Sequence, residues 1–217
     1  MYSSAIFEAK TLTRSDRSSE VALTGTLEDA QTRKIDYLLS RLEPLDSSHT
    51  LLDIGFGWGG ICIRAAEKYG CRVTGITLST EQKALAEARV REKGLEHLMT
   101  FELVDYRVFA ERCRKTGVFE NQADMTCAGD VNEILACLCC LPGVSFDRII
   151  SCEMIEAVGH NHLGSFFRAV EYMLSKDGIF VMQAITMPDA RWGILLVHSF
   201  KKIFLVALIH LCSLSCM

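Results

Sequence analysis

The sequence predicts an α/β fold, a doubly wound and mainly parallel sheet with helices on both faces. Two observations carry that expectation. From residue 27 onward, short apolar runs alternate with helical stretches, the pattern of strand–helix–strand units. A glycine-rich turn, Gly55-Phe-Gly-Trp-Gly-Gly60, also joins the first apolar run to a helical one.

The elements follow in order. Residues 27–43 carry Leu27, Ala30, Ile35, Leu38, Leu39 and Leu42 at helical spacing, and Pro44 ends the helix. Residues 49–55 read as a short buried strand, and residues 59–69 as a helix stopped by Gly70. Residues 71–77 are the second strand. Ser79-Thr-Glu-Gln82 is a capping box: the Ser79 hydroxyl accepts from the Gln82 amide, and the Gln82 side chain reaches back. That helix runs to Gly94. Residues 99–105, 146–153 and 178–186 supply three more strands, with a helix over 162–175 between the last two. Right-handed crossovers place ligands at the carboxyl ends of such strands, where the glycine turn lies.

Two stretches break the rhythm. Residues 108–145 separate the third and fourth strands by more than a crossover needs. Within them, residues 130–143 read as a helix capped by Asp130, with Glu133 at its third position and Pro142-Gly143 as its stop. The apolar tail from Gly193 to Met217 is divided by Lys201-Lys202. Its last 15 residues are short for a membrane span, so a core or interfacial segment is expected. Residues 194–200 are a candidate strand that covers the sheet edge.

The 217 residues suit one domain. A net charge of −4 offers no electrostatic grip on nucleic acid. The ten cysteines show no repeating metal spacing, and Cys137, Cys139 and Cys140 lack a second cluster. Reduced thiols in a cytoplasmic protein without a metal are expected. The opening residues have neither a basic start nor an apolar run, so no signal peptide is expected.

The glycine turn fits two patterns. Gly55, Gly57 and Gly60 satisfy the dinucleotide fingerprint; Asp53, Gly55, Gly57 and Gly59 satisfy D-x-G-x-G-x-G. A dinucleotide site wants an acid at the end of the second strand, and none stands there before Glu81. Asp53 would repel a pyrophosphate but suits a cation. S-adenosylmethionine carries a sulfonium and an ammonium and no phosphate, so the turn is read as its cradle. Thr77, Leu78 and Gln82 then stand at the cofactor edge.

Five segments resemble, in order, the cyclopropane-fatty-acyl-phospholipid synthase family, which includes the mycolic acid cyclopropane synthases. They are "LLDIGFGWGG", "GCRVTGITLSTEQ", "VDYR", "FDRIISCEMIEAVGH" and "GIFVMQAITMPDAR". The opening "MYSSAIF" is similar to that family's Y-S-[CS]-A motif. The resemblance covers residues 1–7, 27–107 and 146–192, which makes residues 1–192 the expected domain and 193–217 an unrelated tail.

The resemblance implies a Rossmann-like class I S-adenosylmethionine methyltransferase fold. The implied activity is methylene transfer to a cis double bond of an unsaturated phospholipid acyl chain at a membrane surface. It places the cofactor against Tyr2, Ser3, Gly55, Gly57, Thr77, Leu78 and Gln82, with Val104 and Asp105 by the adenine. It implies a bicarbonate that takes the leaving proton, held by Glu156, Gln183, Ile185 and Ser4. Glu153 is read as a surface or pocket-rim acid without a role. Many members have cysteine where Ser4 and Phe56 stand, and histidine where Ala157 and Gln183 stand. Family segments that normally precede Tyr2 and follow Arg191 are not expected in this chain. Two alternatives stay open: an inactive remnant that at most binds cofactor, and a methyltransferase for another lipid or small molecule.

Overall fold

The computed structural model describes residues 4–9, 23–116, 145–186 and 203–209. Tyr2, Ser3, the expected helix at 130–143 and the candidate strand at 194–200 lie outside them.

A two-residue antiparallel pair, β1 (Glu8–Ala9) with β2 (Leu23–Thr24), precedes the main body. Helix α1 (Leu27–Ser40) follows. A true capping box starts it, with Thr26 accepting from the Asp29 amide and Asp29 accepting from the Thr26 amide. Its inward face is shifted from the expected stripe. Leu27 is 55% exposed, while Gln31 and Lys34 are buried beside Ala30, Ile35, Leu38 and Leu39. The helix ends at Ser40, before Pro44 is reached.

The sheet elements are β3 (Thr50–Ile54), α2 (Gly60–Tyr69), β4 (Arg72–Thr77), α3 (Thr80–Glu92), β5 (Met99–Leu103), α4 (Tyr106–Thr116), β6 (Phe146–Cys152), α5 (Leu163–Met173), β7 (Leu174–Thr186) and β8 (Ile203–Ile209). The six main strands are all parallel, in the order β5-β4-β3-β6-β7-β8. The chain therefore builds outward from β3 on one side and returns to build from β6 on the other. The sixth strand comes from the tail, at Ile203–Ile209, and pairs with β7 from Phe180 to Thr186. β7 begins earlier than the expected Gly178 because α5 passes directly into extended chain at Leu174, which pairs with Phe146.

Period-2 alternation divides the apolar side chains between two cores. Leu51, Val73, Ile150 and Val181 face α1 and α2. Their neighbours Leu52, Ile149 and Phe180 face α4 and α5, meeting Phe109, Phe166, Val170 and Met173. Both faces are covered, as expected of a parallel sheet held between two layers of helices.

Polar groups fix how β3 sits beside β6. Thr50 N and Oγ1 donate to Asp147 Oδ2 at 2.9 and 2.8 Å, and Asp147 N donates back to Thr50 Oγ1 at 3.1 Å. Arg148, 6% exposed, donates to the carbonyls of Leu42, Pro44 and Asp147. Its burial lowers the guanidinium pKa.

Asp53 is fully buried on β3. Its Oδ2 accepts from Cys62 Sγ at 3.3 Å, while Oδ1 is buried with no partner. Burial pushes this carboxyl up to about 7, against the opposing pull of the Cys62 contact. The folded chain thus holds a proton that the unfolded chain, at the ordinary value of 3.8, releases. Stability must fall as pH rises between those two values, and the loss is complete above the upper one. Asp53→Asn should flatten that decline, read as the urea midpoint across pH 4 to 8. An unchanged slope would assign it to another group.

At Gly75 on β4, an added Cβ would lie 2.6 Å from Phe56 Cδ1 and 2.7 Å from Phe101 Cδ1, inside a ring pair already 4.6 Å apart. Gly75→Ala should destabilise the chain by about 1–3 kcal/mol by overpacking. Urea denaturation checks this, and a midpoint at the wild-type value would contradict it.

Candidate active site

A cavity of about 540 Å³ opens at the carboxyl ends of β3, β4, β5 and β6. It sits where the sheet order reverses, between β3 and β6. Gly55, Gly57, Thr77, Leu78, Gln82, Val104 and Asp105 line one part of it. The same cavity continues to Cys152, Glu153, Met154, Ala157, Val158 and His162.

The turn after β3 brings backbone to the cavity. Gly55 has φ +80°, and a Cβ there would lie 2.9 Å from Met154 Cγ. Gly57 has φ +56° and nothing within 4 Å of where its Cβ would stand. At Gly57 a ligand can therefore lie directly on the backbone, as glycine permits, while at Gly55 the absent side chain makes room for Met154. Gly59 and Asp53 stand behind the turn and do not line the cavity.

At the end of β4, Thr77 Oγ1 donates to Gln82 Oε1 at 2.9 Å and accepts from the Ser79 amide at 3.3 Å. Ser79 Oγ does accept from the Gln82 amide, at 3.2 Å. The expected return contact from the Gln82 side chain is replaced by the one to Thr77, so only half of that capping box forms. Leu78 is 73% exposed at the rim. Asp105 is held by Arg107, whose Nε and Nη2 donate at 2.8 and 2.7 Å. These contacts lower its carboxyl pKa.

These features fit S-adenosylmethionine. The open backbone at Gly57 suits close approach, and the Thr77–Gln82 pair and Asp105 offer polar groups at the same cavity wall.

A second set of groups meets where β6, β7 and the opening segment converge. Residues 4–6 lie along α1: Gln31 Nε2 donates to Ser4 O, Ile6 N to Ala30 O, and Arg33 Nε to Ile6 O. The β6–β7 register places Cys152 opposite Gln183. Burial pushes the Cys152 thiol up to about 12, so it is a neutral donor, and it reaches Gln183 Oε1 at 2.8 Å. That contact turns Gln183 Nε2 toward Ser4 Oγ, at 3.0 Å, and toward Glu153 Oε1, at 2.5 Å. Ser4 N and Oγ donate to the same Glu153 oxygen at 2.9 and 2.8 Å. Glu156 is exposed and accepts from the Ile185 amide at 2.6 Å.

Glu153 is thus the hub of this cluster rather than a rim acid without a role. Its φ of +49° is left-handed, a conformation that costs a non-glycine residue on the order of 1–2 kcal/mol. Its amide is pinned to Gln183 O at 2.8 Å. Its other carboxyl oxygen, Oε2, is buried with no partner. Of the cluster, Cys152 and Glu153 line the cavity, while Ser4, Glu156, Gln183 and Ile185 do not.

This arrangement does not fit the expected bicarbonate. The donors of Ser4 and Gln183 are engaged by Glu153, and the Ile185 amide is engaged by Glu156. Two side-chain carboxylates already stand where a small oxyanion would have to accept.

Lys34 is the other group that sequence reasoning missed. It is 2% exposed, lines the cavity, and places positive charge near Cys152. The signal was present: residue 34 is four positions from Ala30 and four from Leu38, on the inward face of α1.

The family model for mycolic acid cyclopropane synthetase matches residues 1–124 and 139–205. Tuberculostearic acid methyltransferase UfaA1 of Mycobacterium tuberculosis is 36% identical over 162 residues, 75% of this chain and 30% of that protein. The cyclopropane-fatty-acyl-phospholipid synthase of Escherichia coli is 31% identical over 159 residues, 73% of this chain and 32% of that protein. The solved cyclopropane synthase MmaA2 from Mycobacterium tuberculosis superimposes with a TM-score of 0.58 at 28% identity, covering 84% of this chain and 47% of that one. Mycolic acid cyclopropane synthase CmaA1, complexed with SAH and CTAB, gives 0.53 at 28% identity, with 73% and 44% covered. The chain spans about a third of the length of these curated relatives. Its parallel sheet, glycine turn and match over most of its residues agree, and the chain belongs to the mycolic acid cyclopropane synthetase family.

Proposed function

We propose that this chain transfers a one-carbon unit from S-adenosylmethionine to a cis double bond of an unsaturated phospholipid acyl chain and closes a cyclopropane ring. One observation carries the reading: a single cavity joins the glycine turn to the turn after β6, where Cys152, Glu153, Met154 and Val158 line it. The cofactor, when bound, supplies an electrophilic methyl group on a sulfonium. Gly55 and Gly57 would support its amino-acid part. Thr77, Gln82, Val104 and Asp105 would hold the nucleoside.

An alkene is a weak nucleophile, so the walls must orient it. Ile35, Ile54, Phe56, Ile61, Ile76 and Met154 supply an apolar surface there. That surface also excludes water, which would trap a cationic carbon. Among the described residues no helix is long and apolar enough to cross a membrane. The acyl chain would be met at the cytoplasmic surface of a bilayer, with the chain bound peripherally.

A second reading, a methyl branch in place of the ring, is favoured by one observation. The tuberculostearic acid methyltransferase is 36% identical and the Escherichia coli cyclopropane synthase 31%.

Incubation with unsaturated phospholipid vesicles and methyl-deuterated cofactor separates the readings. Lipid mass spectrometry should show a gain of CD2 in a product that resists ozone. An ozone-cleavable product that carries the label moves the assignment to the methyl branch. A folded chain that binds the cofactor and labels no lipid moves the assignment to the inactive, cofactor-binding alternative or to a methyltransferase for a small molecule.

A further inference from the structure

We propose that Glu153 takes the place of the bicarbonate, so that the chain carries its own carboxylate base and needs no carbonate anion. The inference rests on the transfer reaction proposed above. Three features of the cluster support it. First, a glutamate carboxylate and bicarbonate present the same O–C–O acceptor edge. Of the residues that the resemblance assigns to the anion, Ser4 (through N and Oγ) and Gln183 (through Nε2) donate to Glu153 Oε1, while the Ile185 amide donates to Glu156. Second, Oε2 is left buried and without a partner on a residue that lines the cavity. One oxygen is therefore anchored and the other keeps its lone pairs. Third, the backbone at Glu153 is left-handed and pinned to Gln183 O. Strain of this kind persists where the surroundings enforce it, and it concentrates at working sites.

The chemistry balances with this carboxylate alone. A C–C bond forms between the transferred carbon and one alkene carbon as the C–S bond breaks, which leaves the other alkene carbon electron-deficient. A C–H bond of the transferred carbon then gives its proton to Glu153 Oε2, and its electron pair closes the ring. The thioether leaves neutral, and the protonated carboxyl returns its proton to solvent between turnovers.

Two variants test the assignment. Glu153→Gln keeps the shape and removes the base. Glu153→Gly empties the carboxylate position, and glycine suits the left-handed backbone there. Binding is read first, by line broadening of 13C-bicarbonate in NMR, which needs no turnover. The wild-type chain should leave the signal sharp, and Glu153→Gly should broaden it. Activity is read second, in buffer stripped of carbon dioxide and after bicarbonate is restored. Wild type should keep its rate in both. Glu153→Gln should lose at least about 100-fold, the usual scale of general-base catalysis, while its calorimetric affinity for S-adenosylmethionine stays within about twofold. Glu153→Gly should be slow until bicarbonate is restored. Bicarbonate binding by wild type, no binding by Glu153→Gly, loss of wild-type turnover on stripping, or near-normal turnover of Glu153→Gln each overturns the proposal. A fall in cofactor affinity in Glu153→Gln also overturns it, making Glu153 a ligand of the cofactor ammonium. If no form of the chain labels lipid, the transfer reading fails, and the NMR arm still decides where bicarbonate can bind.

Discussion

Parallel pairing of β3 with β6, from Leu51 against Arg148 to Asp53 against Ile150, is the constraint on which the site depends. These strands are far apart in sequence, and the polar clasp of Thr50 with Asp147 fixes them at their amino ends. Once they are neighbours, the order in which strands are added reverses between them, and a crevice opens at their carboxyl ends. The turn after β3 and the turn after β6 then face one cavity. Gly55 on one turn and Met154 on the other come so close that a single methyl group at position 55 would collide. The glycine turn and Glu153 line one cavity because two strands were brought together, not because their residues adjoin in the chain.

The charged groups around that crevice are arranged by burial. Asp53 lies beneath the turn with an oxygen unsatisfied, Lys34 reaches the cavity from α1, and Glu153 enters from the end of β6. Buried charge is costly unless it is paired or bonded. Here the cost is offset by dedicated contacts: three donors converge on one oxygen of Glu153, and the neutral Cys152 thiol sets the orientation of Gln183 that makes one of them possible. Such a network holds a carboxyl group in one position, which is what proton removal from a bound substrate requires.

Much of this could be read from the residues alone. The five expected strands were legible because each is a short stretch rich in apolar residues between turn residues, and the glycine turn was legible because its spacing and Asp53 occur together. Tertiary choices were not legible. Gln82 could bond back to its own helix or across to Thr77, and local sequence does not say which; the structure forms the second. The tail holds two apolar runs on either side of Lys201-Lys202, and the strand at Ile203–Ile209 is fixed by pairing with β7. Glu153 was read as an acid without a role because its contacts depend on a left-handed backbone angle and on the register that sets Cys152 against Gln183. Neither leaves a periodic trace. Lys34 was visible by helical spacing but reads as a surface lysine until the whole inward face of α1 is counted.

A single S-adenosylmethionine lying on the backbone after β3 and reaching toward the turn after β6 would protect both turns together. Hydrogen exchange with and without S-adenosylhomocysteine tests it most directly, because it reports each segment separately. Exchange should slow in residues 54–60, 76–82 and 104–107, and in the turn at 153–158, while α1 before Lys34 is unchanged. No slowing in the glycine turn, or the same pattern raised by a nicotinamide dinucleotide instead, would contradict the account.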